Sequence, residues 1–163
     1  MKSTLKFALS IFISNIFSVI LCGVIVVTLG GLYEYDAGIA IITAVTVFLS
    51  ICLPYSKAWQ QGFKDKNYVK FGHMSEDKLR GLKAGLIAMI PSVVIAAAYF
   101  ICKGIGGNVF IYGNVAVRVW FVPYLGLFSS LIDVFPLIAL LILLPQPAAA
   151  MVGYRLGYRD FSI

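Results

Sequence analysis

The chain has 163 residues, of which 61% are hydrophobic and only 12% charged, with a net charge of +6. Soluble domains carry about 25% charged residues, so a water-soluble fold of this size would lack the polar surface to cover itself. The positive charge does not argue for nucleic acid, because the basic residues flank long apolar runs, where they would face anionic headgroups.

Crossing a ~30 Å hydrocarbon core takes about 20 apolar residues in a helix. The apolar runs here are that long and do not alternate, which excludes the ten-residue alternating segments of a barrel. The composition therefore predicts an all-α fold: an integral membrane four-helix bundle in a single transmembrane domain over 1–163.

The first span is predicted at 5–29. Lys2 and Lys6 give it the basic start of a signal peptide. Its apolar stretch exceeds an h-region of about 7–15 residues and no A-x-A-like site follows, so it reads as a retained span. Ser10, Ser14, Ser18 and Cys22 recur every fourth residue and form one small, polar face, with Asn15 beside it. Ser14 and Ser18 are candidates for close helix packing. The second span is predicted at 37–59, followed by a basic cytoplasmic loop at 60–83. There Lys64, Lys66, Lys70 and Arg80 are candidates for lipid headgroups, at about 1 kcal/mol each. Ser75, followed by Glu76 and Asp77, reads as the cap of the third helix. Gly81 and Gly85 form a G-x-x-x-G pair suited to helix contact. His73, the one histidine, reads as a solvated loop residue.

The third span is predicted at 84–102. The outer loop, 103–125, holds glycines with Asn108 and Asn114, which break helices, and lies along the surface or dips in as a re-entrant piece. Arg118 argues against a fifth full span there. The fourth span is predicted at 126–152 and carries Asp133 within hydrocarbon depth. A charge at a span's centre costs about 2.5–3.5 kcal/mol on insertion scales, so Asp133 must face protein or water. Pro136 frees the carbonyl of Ile132 beside it, and Ser129 and Ser130 lie about one turn earlier. In one reading Asp133, Asn15, Ser129 and Ser130 line a path for a proton, cation or small substrate. In the other, Asp133 bonds Arg118, Lys103 or a hydroxyl and ties helices together. The structural reading is preferred, since a relay needs several ionisable groups and the spans hold one.

Charge sets the orientation. With four crossings, Lys2, Lys6, every basic residue between spans two and three, Arg155 and Arg159 share one side, and only Lys103 and Arg118 fall opposite. Both termini are therefore expected in the cytoplasm, with Arg155 and Arg159 also near headgroups, and the protein in the cytoplasmic (inner) membrane. A weak two-hairpin internal repeat is visible. "LPYSKAWQQGFK" at Leu53–Lys64 parallels "LPQPAAAMVGYR" at Leu144–Arg155, and in a second register Gly62-Phe63-Lys64-Asp65 parallels Gly157-Tyr158-Arg159-Asp160.

No zinc motif or phosphate loop is present and the spans hold no paired carboxylates, so no metal, cofactor or enzymatic activity is expected. Cys22, Cys52 and Cys102 lie on different helices and imply no disulfide framework. The stretches "GLKAGLIAMIPS" (Gly81–Ser92) and "GYRLGYRDFSI" (Gly153–Ile163) resemble uncharacterised small four-span membrane proteins of Gram-positive bacteria. That resemblance implies a cytoplasmic-membrane location and no particular activity. The expected function is that of a non-enzymatic membrane component acting through helix–helix or lipid contacts, as a homo-oligomer or accessory subunit. The alternative is a small transporter or channel subunit using Asp133.

Overall fold

The computed structural model describes residues 2–127 and 142–159. Among these residues the structure is helical, with no strand. Helix α1 spans Lys2–Thr28, α2 Asp36–Lys70, α3 Arg80–Ile105, α4 Gly107–Trp120 and α5 Pro145–Arg159, with 3₁₀ turns at Gly30–Glu34 and Val122–Tyr124. Helices α1, α2 and α3 are each long and apolar enough to cross a membrane. The expected fourth span falls largely on 128–141, outside the described residues.

Along these helices many large apolar side chains face outward while small polar ones are buried. Along α1, Leu5, Leu9, Ile13, Phe17, Ile20, Val24 and Val27 recur every three or four residues and are all exposed. Ser14, Asn15 and Ser18, on the same helix, are buried. On α2, Phe48 is 66% exposed while its neighbour Ser50 is 0% exposed. In water this arrangement would waste apolar burial at roughly 25 cal/mol per Å². In lipid the tails are as apolar as leucine, and small polar residues make the helix contacts.

The second helix departs from expectation. It does not end near Trp59 but runs through Pro54 and on to Lys70, 35 residues in all, or about 52 Å at 1.5 Å per residue. The lysines read as a loop continue the helix, because nothing interrupts its backbone bonds. The stop comes at Gly72, at φ 74°. The Gly72 amide donates to the Val69 carbonyl at 3.0 Å and the His73 amide to the Tyr68 carbonyl at 2.9 Å. This is a Schellman motif, which only glycine enters without a Cβ penalty.

The cap of α3 also differs. Asp77, not Ser75, holds its start: the Asp77 carboxylate accepts the Leu79 amide at 3.0 Å and pairs with Lys83 at 2.9 Å. The segment 103–125 is not an irregular loop. Gly106 and Gly107, both at positive φ, turn the chain, and α4 then folds back on α3 for 14 residues. At about 21 Å it is too short to cross. Gly113, which reads as a helix breaker, lies where a Cβ would come 2.7 Å from the Cys102 Cβ. Its missing side chain admits α3. Finally, Pro145 opens α5, a position where its absent N–H costs nothing.

The helices pack as two compact units, 1–16 with 51–89 and 144–163, and 17–50 with 90–143. The first has a core of Phe7, Ala8, Ile11, Ala58, Ala84, Ala88, Ala150 and Tyr154. The second is tied by polar bonds: Thr46 donates to the Pro123 carbonyl at 2.8 Å, Ser50 bonds the Tyr124 hydroxyl at 3.1 Å, and the Trp120 indole donates to Ser92 at 2.9 Å.

Candidate functional site

The first unit brings four helices to one buried charge cluster. On α2, Pro54, Ala58, Gly62 and Asp65 lie three or four residues apart and all are buried. The same small-residue face that packs α2 therefore carries a carboxylate inward. Asp65 is 1% exposed and Arg80, the first residue of α3, 4% exposed. Arg80 Nη1 meets Asp65 Oδ2 at 2.6 Å. Tyr154 of α5 donates its hydroxyl to the same oxygen at 2.9 Å, and Gln61 donates to Asp65 Oδ1 at 2.9 Å. Arg80 Nη2 donates to the Ser3 hydroxyl of α1. Arg80 Nη1 also lies 2.9 Å from the Met74 sulfur, while Arg80 Nε is buried without a partner.

Backbone approach makes this possible. A Cβ on Gly62 would strike the Tyr154 carbonyl, one on Gly157 the Trp59 carbonyl, and one on Gly153 would lie 2.5 Å from the Tyr55 carbonyl. Residue numbers rise together along both helices, so α2 and α5 run parallel here. The offset that carries Gly62 to Gly157 also carries Trp59 to Tyr154. The two glycine contacts are thus exchanged by the second register of the sequence repeat, as a two-fold relation between parallel helices requires. Helix α3 packs on α5 the other way round. A Cβ on Gly81 would lie 2.5 Å from the Tyr154 Cβ, and one on Gly85 would lie 2.8 Å from the Pro147 Cα.

Burial, then the facing Asp65 carboxylate, push the Tyr154 hydroxyl well above its ordinary pKa. It therefore stays protonated and keeps donating. The cluster is sealed: the carboxylate is held by three donors and faces no nucleophile. Breaking such a pair costs about 3–5 kcal/mol because the surviving charge is stranded. Its chemistry is that of a lock. Among the described residues no group of three or more His, Cys, Asp or Glu could hold a metal ion.

Beside the lock, a cavity of about 360 Å³ is lined by Glu76, Asp77, Lys78, Tyr154, Arg155, Tyr158 and Arg159. Burial, with Glu76 and Asp65 nearby, also raises the Tyr158 pKa.

The residues singled out from sequence distribute as follows. Arg80 is corrected: it is no headgroup contact but the buried half of an ion pair, since Asp65 offers it a desolvated partner. Lys64, Lys70, Arg155 and Arg159 are exposed and Lys66 is half-buried. Ser14 and Ser18 are buried, and Ser18 lies 4.0 Å from the Cys22 sulfur. Asn15 donates to Gln146 at 3.3 Å, and its own carbonyl oxygen is buried without a partner. Asp133, Ser129 and Ser130 lie outside the described residues. Arg118, weighed as a partner for Asp133, donates to Asn114 at 2.9 Å. Asp65 enters the sequence reading only through the repeated Gly-aromatic-basic-Asp register; the spacing Pro54, Ala58, Gly62, Asp65 was the signal that could have marked it as buried. No protein-family profile, curated protein or solved structure matches this chain.

Proposed function

We propose that this is a non-enzymatic, multi-pass protein of the cytoplasmic membrane, related in build to the small four-span proteins of Gram-positive bacteria. It has four spans with both termini inside, and it works through helix–helix and lipid contacts as a homo-oligomer or an accessory subunit. One observation carries this reading: Ser14, Asn15, Ser18, Thr46, Ser50 and Ser92 are buried while a large set of leucine, isoleucine, valine and phenylalanine side chains, seven of them along α1 alone, faces outward. Such a surface needs lipid or another apolar helix against it. The sealed Asp65–Arg80 pair fits a scaffold better than a reaction centre.

The test is extraction followed by mass measurement. The protein stays in the membrane pellet at alkaline pH, and native mass spectrometry of the detergent-solubilised form gives a defined oligomer or heteromer. Release into the soluble fraction would refute the reading. The transport alternative rests on one specific observation, the buried, unpartnered Asn15 oxygen. Flux in proteoliposomes that Asp133→Asn abolishes while leaving assembly intact would establish it instead.

A further inference from the structure

We infer that the cavity beside the lock binds the phosphodiester of an anionic phospholipid headgroup, held by Arg155 and Arg159 of α5. This rests on the membrane reading above and gives the lipid contact a particular place. Three observations meet there.

The first is charge. The acids of the cavity already have cations: Asp77 pairs with Lys83 at 2.9 Å, and Glu76 lies 4.0 Å from Lys78. Asp77 is held below the usual carboxylate range by the Lys83 hydrogen bond and stays ionised. Among the described residues no acid pairs with Arg155 or Arg159. Two guanidinium groups are thus left for an outside anion.

The second is geometry. Arg155 and Arg159 are four residues apart on one helix, so their side chains are neighbours on one face. Two guanidinium forks at that spacing can hold the oxygens of one phosphodiester in paired charge-assisted hydrogen bonds. Tyr158 lies between them in sequence, and its raised pKa keeps its hydroxyl a donor. The cavity volume, about 360 Å³, falls in the range of small-molecule sites.

The third is depth. Helix α2 is about 20 Å longer than a ~30 Å hydrocarbon core. If it enters that core near Asp36, it leaves it near Lys57. Asp65, and Tyr154 bonded to it, then stand about 12 Å further on, just past a headgroup layer about 5–8 Å deep, from where long arginine side chains reach back to it. A headgroup is the anion that this layer supplies. Tyrosines also favour that interface.

The experiment uses the full chain in neutral detergent, with short-chain phosphatidylglycerol as probe and native mass spectrometry as readout. Short-chain phosphatidylcholine and inorganic phosphate are the comparison ligands. Phosphatidylglycerol is expected to bind wild type with one tight site. The double variant Arg155→Gln, Arg159→Gln is expected to bind it roughly 25-fold more weakly, at about fivefold per lost cation. Arg118→Gln, which removes an exposed charge on α4 outside the cavity, is expected to leave that site unchanged. Equal affinity in the double variant, or an equal loss in Arg118→Gln, would overturn the proposal. Inorganic phosphate binding as tightly as phosphatidylglycerol would overturn the lipid assignment. A protein that remains membrane-embedded and assembled yet shows no site refutes this inference alone and leaves the membrane reading standing.

Discussion

Asp65→Asn tests the lock directly. The substitution keeps the shape and removes the charge, so Arg80 is left 4% exposed with no counter-ion. Leaving one partner of a buried pair costs about 3–5 kcal/mol. The asparagine oxygen still accepts from Tyr154 or Arg80, which places the loss near the lower end, at about 3 kcal/mol. Reversible unfolding in mixed micelles, titrated with SDS and followed by far-UV circular dichroism, measures it. Two controls sharpen the reading. Lys64→Gln, on the exposed side of the same turn, should cost no more than about 0.5 kcal/mol. Asp65→Leu combined with Arg80→Met removes both charges and should recover most of the loss, since replacing a whole buried pair by apolar residues is often neutral. Raising salt to about 1 M should leave the wild-type pair's contribution nearly unchanged, as buried pairs are poorly screened. An Asp65→Asn cost no larger than that of Lys64→Gln would refute the claim that this carboxylate is sealed.

The remaining predictions concern packing and pH. Gly157→Ala places a methyl against the Trp59 carbonyl and should cost about 1–3 kcal/mol by overpacking. Gly23→Ala, with nothing within 4 Å of the new Cβ, should be neutral or stabilise α1 by up to about 1 kcal/mol; the same unfolding assay compares them. Tyr154 has a raised pKa in the folded protein, so its contribution is full below the ordinary tyrosine value of about 10 and is lost as pH rises through and above it. Unfolding scans from pH 8 to 11.5 should therefore show a decline that Tyr154→Phe reduces, together with a loss at pH 8 of about 1.5–3 kcal/mol for a hydrogen bond to a charge. Asp77 has a lowered pKa, so its contribution is full at neutral pH and is lost as pH falls through the carboxylate range near 4. Asp77→Asn should lower the melting temperature at pH 7 by a small amount, a difference that narrows as the pH falls below about 4.

What could be read from the sequence was whatever repeats with helical spacing. The apolar runs announce α1, α2 and α3 because lipid demands long uninterrupted stretches. The four-residue recurrence of Ser14 and Ser18, and of Gly81 and Gly85, marks faces that are buried in the structure. What could not be read depends on context. The lysines after Trp59 suggested a loop, yet a helix leaving the bilayer accepts charge freely, and only the Schellman geometry at Gly72 stops it. Gly113 suggested a break, whereas it is a contact point. Nothing in the local sequence marks Asp65 as buried, since lysines flank it, and its partner lies fifteen residues on, across a turn. The parallel crossing of α2 and α5 was hinted at by the repeated Gly-aromatic-basic-Asp register, and the reciprocal glycine contacts give that hint a physical form.

The central claim is that this bundle lies in lipid with its basic helix ends on one side. Single cysteines at Lys66 and Arg155, in a background lacking Cys22, Cys52 and Cys102, measure this with a membrane-impermeant maleimide. The account predicts that both positions are protected in intact cells and both are labelled once the membrane is opened, while a cysteine at Gly31 is labelled in intact cells. Labelling of Lys66Cys and Arg155Cys from opposite faces of the membrane would contradict it.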